Sequence, residues 1–91
     1  MNSEKTFFLK VYSRQGMLFD GEVESVTSYN EEGRFDILAQ HANFISLIQK
    51  KLIIKDFQGV KEIDVSNALL RMRENKVEVY LGIQDLGHLK F

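Results

Sequence analysis

"SNALLRMRENKVEVYL", residues 66–81, reads two ways, and the fold turns on which one holds. Residues 66–76 are rich in strong helix formers, and Ser66 or Asn67 could cap a helix N-terminus. Directly afterwards Val77, Val79 and Leu81 alternate with Glu78 and Tyr80, the period of a half-buried strand. An isolated helix of about ten residues is marginal in water. We therefore expect a hairpin, with Ala68 to Arg73 pairing to Lys76 to Leu81 across a Glu74-Asn75 turn.

The same alternation runs outward from this stretch. In "FFLKVYS" Phe7, Leu9 and Val11 share one face, while Phe8, Lys10 and Tyr12 share the other. Arg14 to Gly16 form a short turn, and "MLFDGEVESVTSY" continues as strand with a bulge expected at Gly21. "NEEG", residues 30–33, makes the next turn, and Gln58-Gly59 forms the tip of a hairpin between "KLIIKDF" and "VKEIDVS". Short strands at this spacing predict an all-β sandwich or barrel. The 91 residues make one domain, residues 1–82, followed by a short tail, 83–91.

Composition excludes several functions. Hydrophobic residues at 44% and charged residues at 27% are ordinary for a globular chain. A net charge of −1, spread along the sequence, offers no basic stripe for nucleic acid. The absence of cysteine removes disulfides, thiolate nucleophiles and Cys-based zinc sites, and fits a reducing compartment. The apolar runs are too short to span a bilayer, and Glu4 spoils a signal-peptide pattern, so we expect a soluble, cytoplasmic protein. His41 and His88 stand 47 positions apart without neighbouring ligands, so no metal site is expected. The pairs Glu22 with Glu24 and Glu31 with Glu32 read as solvated faces and turns. No phosphate-cradling glycine motif or serine nucleophile elbow occurs, so we expect no enzyme, no cofactor and no tight binding of ATP.

One stretch interrupts the strand pattern. "GRFDILAQHANFISLI", residues 33–48, carries Gln40, His41, Ala42 and Asn43 between apolar runs. The break could be a catalytic loop on His41, a metal site, or a turn that shapes a docking surface. Phe44, Ile45, Leu47 and Ile48 cannot all face inward from one strand, so part of this run should form an exposed patch, a common mark of a docking site.

From Phe8 to about Gly82 the chain resembles the epsilon subunit of F-type ATP synthases, called delta in mitochondria. The resemblance rests on Phe19, Gly21, Glu22, Val23 and Val26, then Gly33, Phe35, Ile37, Leu38, His41 and Ala42, and later Val65, Ser66, Leu70, Asn75, Val77 and Val79. It implies a flattened ten-stranded β-sandwich, lacking the family's usual C-terminal helical hairpin. The implied function is that of a non-catalytic central-stalk subunit that docks on the gamma subunit and the c-ring and couples proton or sodium translocation to ATP synthesis. Its place would be the cytoplasmic face of the bacterial plasma membrane. Phe35, His41, Phe44 and Ser46 would then lie on the gamma-facing edge, with Gln40 to Asn43 shaping it, and Arg34 near the c-ring. A free-standing β-sandwich interaction module of the same fold is the alternative. The sequence departs from the family at Ala39-Gln40 and Asn43, where prolines and a glycine are usual, and at Arg34, Asp36 and Asn67-Ala68. The tail, about 15 Å long if helical, is too short to reach the catalytic head, so we expect coupling without inhibition.

Overall fold

Val77 and Val79 resolve the ambiguous stretch: both are buried, and they sit on a strand that pairs with Met72 and Leu70. The computed structural model describes residues 5–82, within which seven strands follow one another with no α-helix. They are β1 (Phe7–Ser13), β2 (Gly16–Val23), β3 (Ser25–Asn30), β4 (Gly33–Leu38), β5 (Phe44–Asp56), β6 (Gly59–Arg73) and β7 (Lys76–Leu81). All belong to one hydrogen-bonded sheet, in the order β2-β1-β7-β6-β5-β3-β4. The tail, residues 83–91, and His88 within it lie outside the described residues.

With no helix to cover its apolar face, the sheet covers itself. The device is the length of β5 and β6. The far half of their hairpin, Lys50–Asp56 with Gly59–Val65, adjoins β3 and β4; the near half, Phe44–Ile48 with Ala68–Arg73, adjoins β7, β1 and β2. Between the halves the register shifts: Ile48 pairs with Ala68 but Lys50 with Val65, so Gln49 alone faces both Ser66 and Asn67. This two-against-one bulge bends the hairpin and moves the inward positions of β6 from Val65 to Ala68, Leu70 and Met72. The step from Val65 to Ala68 has a helical spacing, which is one source of the helix signal in residues 66–76.

The inside of the bend is pinned by Ser28. Pairing of β3 with β5 also slips here, between Thr27 and Tyr29, and Lys50 has a φ of 75°. Ser28, fully buried, donates its hydroxyl to the Lys51 carbonyl at 2.8 Å. Around it one core joins the two layers: Phe7, Leu9 and Val11 from β1, Val26 from β3, Ile37 from β4, Leu52 and Ile54 from β5, and Leu70 and Met72 from β6.

Four sequence expectations change. Among the described residues the sheet has seven strands where ten were expected, and β5 and β6 pass through the bend without a break and serve both layers. The bulge of β2 falls at Leu18, not Gly21: Val11 pairs with Phe19 and Tyr12 with Met17, while Gly21 pairs regularly with Leu9. The run "MLFDGEVESVTSY" is two strands, parted at Glu24, whose N–H donates to the Lys55 carbonyl at 2.7 Å. Glu22 does not simply face solvent, since it accepts a hydrogen bond from the Thr6 hydroxyl.

Ser28→Ala removes the hydroxyl that donates to the Lys51 carbonyl at the bend. We expect a loss of about 1–3 kcal/mol, read as a lower midpoint in urea unfolding with an unchanged slope.

Candidate functional site

The polar break is built from a turn whose chemistry is local. The His41 N–H donates to the Leu38 carbonyl at 3.2 Å, closing a four-residue turn, and Gln40 takes its third position with a φ of 63°. That position ordinarily suits glycine. A second positive-φ turn lies against it: Glu74 and Asn75, at φ 55° and 63°, form the two-residue tip between β6 and β7.

Asn75 ties these parts together. Its side-chain oxygen accepts the Gln40 N–H at 2.8 Å, and its side-chain nitrogen donates to the Thr6 carbonyl at 2.9 Å. Its own carbonyl accepts from the Phe8 N–H at 3.2 Å. One amide thus fixes the start of β1, the β6–β7 tip and the polar break relative to one another.

On this base the structure gathers three aromatic rings. Phe35 on β4 and Phe44 at the start of β5 meet with centroids 5.2 Å apart, and His41 stands edge-on to Phe44 at 5.7 Å. Phe35 and Phe44 are half buried against the core, whereas His41 is exposed. The Nδ1–H of His41 donates to the Ala42 carbonyl at 2.8 Å, so in the neutral ring Nε2 is the acceptor. Ser46 lies two residues beyond Phe44 on the same side of β5; its hydroxyl accepts from the Asn30 side-chain amide at 3.1 Å and donates to the Leu47 carbonyl at 3.0 Å. Arg34 does not join this group. It occupies the opposite face of β4 from Phe35, exposed beside Asp36 at 3.9 Å, a pairing of little energy in water.

Ile45 and Leu47, at 62% and 59% exposure, form the expected apolar patch. They belong to a larger pattern that the linear sequence hides. Leu47 pairs with Leu69, Leu69 with Tyr80, Tyr80 with Tyr12, and Tyr12 with Met17, which places a row of apolar and aromatic side chains across five strands on the outer face. Tyr12 and Tyr80 stack with centroids 5.0 Å apart. The adjacent row, from Ile45 through Arg71, Glu78 and Lys10 to Asp20, alternates in charge, and Arg71 donates to Glu78 at 2.6 Å. That hydrogen bond holds the Glu78 carboxyl below the usual carboxylate range. Among the described residues no group of three His, Cys, Asp or Glu is placed to hold a metal ion, and no helix is long and apolar enough to cross a membrane. The part-exposed rings and the apolar row offer a surface suited to binding a protein.

Comparison with known proteins gives the same picture a family. The family described as ATP synthase, Delta/Epsilon chain, beta-sandwich domain matches residues 6–81. The chain is 40% identical over 63 residues to the ATP synthase epsilon chain of a Nitratiruptor species, covering 68% of this chain and 49% of that one. It is 32% identical over 73 residues to the ATP synthase epsilon chain of Sulfurimonas denitrificans, covering 78% and 56%. The chain thus spans about half the length of these relatives. Among solved structures, a chain of the Euglena gracilis mitochondrial ATP synthase (OSCP/F1/c-ring) superposes with a TM-score of 0.79 at 15% identity, over 89% of this chain and 53% of that one. A chain of the Tetrahymena thermophila mitochondrial ATP synthase central stalk/c-ring superposes with a TM-score of 0.70 at 10% identity, over 88% and 66%. At such identity the two structures speak for the fold.

The turn chemistry is testable by chemical denaturation. Asn75→Gly keeps the positive φ and deletes both side-chain bonds, for an expected loss of about 1–3 kcal/mol; Asn75→Ala adds backbone strain and should cost about 1 kcal/mol more. Gln40→Gly keeps the N–H that Asn75 binds and relieves the strain, and is expected to stabilise by up to about 1 kcal/mol. Glu78 gives a signed pH effect. Its folded pKa is depressed, so its contribution is present above the ordinary value of 4.5 and is lost as pH falls through the folded value. Glu78→Gln should therefore flatten the acid limb of the stability curve, measured by thermal melts from pH 6 to pH 2.

Proposed function

This chain belongs to the delta/epsilon β-sandwich family of ATP synthase subunits, matched over residues 6–81, and on that premise we propose that it is a non-catalytic subunit of the central stalk. In this reading it docks on the gamma subunit and on the c-ring, turns with them, and helps couple proton or sodium translocation to ATP synthesis. Such partners would hold it, through the complex, at the cytoplasmic face of a bacterial plasma membrane.

The observation that carries the reading, beyond membership, is the corner made by Phe35, His41 and Phe44. A contact that transmits torque needs side chains already held in place, because ordering them on binding costs free energy. Here the rings are positioned by the core behind them and by the turns that Asn75 joins. Gamma would meet this corner and Ser46. Arg34, on the other face of β4, would lie toward the c-ring. An interface of this kind buries on the order of 1,600 Å² or more, with a few aromatic anchors supplying most of the affinity.

Binding to the cognate gamma subunit, measured by calorimetry, tests this. Phe44→Ala should weaken it by about tenfold or more, and His41→Ala by several-fold. Since Phe44 also touches the core, affinity is to be scored per folded molecule; an unchanged value would make the ring a packing residue only. Arg34→Glu should leave gamma affinity intact and reduce co-assembly with a gamma and c-ring complex, through its changed charge.

A further inference from the structure

The two halves of β5 differ in what flanks them. From Gln49 to Lys55 the strand has β3 on one side and β6 on the other, whereas Phe44–Ile48 pair with β6 alone. On the open side, alternate residues present both N–H and C=O with no strand opposite. The other edges of the sheet are blunted: the far half of β6, Gly59–Val65, pairs with β5 alone but carries the charges of Lys61, Glu62 and Asp64. On β2 the bulge at Leu18 breaks the ladder and Asp20 and Glu22 add charge; on β4 Arg34 and Asp36 are exposed. Phe44–Ile48 has no charge, no proline and no bulge, and it displays Ile45 and Leu47. Such an edge invites pairing unless a partner covers it.

A groove of about 390 Å³ runs along this edge, with Phe44 to Leu47 on one side and Asn30, Glu31 and Glu32 of the β3–β4 turn on the other. No ion pair joins Glu31 or Glu32 to another described residue. The groove therefore combines unpaired backbone, apolar side chains and uncompensated negative charge, and it adjoins the Phe35–His41–Phe44 corner.

We propose that Phe44–Leu47 is a strand-addition site, at which an extended segment of the stalk partner pairs with the open edge and sets Lys or Arg side chains against Glu31 and Glu32. The proposal rests on the stalk reading and says how that partner is held. Main-chain bonds supply adhesion, Ile45 and Leu47 pack against alternate side chains of the added strand, and the two carboxylates select a basic sequence. A second copy of this chain fits poorly, because its own edge residues 44–47 bring no cation to the two carboxylates.

Amide hydrogen exchange, followed by NMR on the full chain with and without its cognate gamma subunit, tests this. In the free chain, alternate amides within 44–47 should exchange quickly while their neighbours are protected by β6. Gamma should slow that open set by about a hundredfold or more. The variant Glu31→Lys with Glu32→Lys, both in an exposed turn, should weaken gamma binding by about tenfold and reduce its salt dependence. Gamma binding with the open amides still exchanging quickly overturns strand addition and leaves the stalk reading standing. No binding of gamma overturns the stalk reading and this occupant together. Protection that rises with concentration of the chain alone overturns the proposal in favour of self-pairing.

Discussion

A sheet with one apolar face and no helix to lay against it has to fold over on itself, and most of what this protein displays depends on how it does so. The bend at Gln49, opposite Ser66 and Asn67, is a packing solution with a phase consequence. Without the bulge, strict alternation from Val65 would turn Asn67, Leu69 and Arg71 inward and Leu70 and Met72 outward. Ser28 matters because, where the β3–β5 ladder slips, its fully buried hydroxyl is the donor that meets the part-buried Lys51 carbonyl. Burial of an unsatisfied carbonyl costs more than a typical hydrogen bond contributes, so a small hydroxyl at this point weighs heavily.

The proposed binding surface is a by-product of the same bend. Phe35 belongs to the layer of β3 and β4, and Phe44 to the half of β5 that adjoins β6 and β7 in the other layer, so their contact bridges the two. Asn75 then fixes the open end of the sandwich, where the Gln40 turn and the β6–β7 tip meet the start of β1. The rings of Phe35 and Phe44 proposed for recognition thus sit on strands, on either side of the polar break.

Much of this was legible in the residues alone. Alternation in "FFLKVYS" identified the buried face of β1, and the turns at residues 14–16, 30–33 and 74–75 were marked by their composition. The excess of apolar residues in 44–48 already required an exposed patch, found at Ile45 and Leu47. What could not be read is what depends on pairing across distance. The bulge sits at Leu18 rather than Gly21 because register is set jointly with β1, and a glycine in a strand is no proof of irregularity. The resemblance implied ten strands where seven are found among the described residues, and nothing local shows that β5 and β6 cross the bend unbroken. The row from Leu47 to Met17 draws one residue from each of five strands, so no window of sequence contains it.

β1 and β7, the first and last strands of the described chain, lie side by side and parallel, joined from Phe8 with Lys76 to Tyr12 with Tyr80. A force that draws the start of β1 away from the end of β7 would run along the two strands in opposite directions. It would load their hydrogen bonds in shear, all together, instead of peeling them one at a time. Forced rupture is governed by the barrier to unfolding rather than by equilibrium stability. A sandwich clasped in this way should be stiff along that line out of proportion to its modest size, a property that would suit the stalk position proposed above.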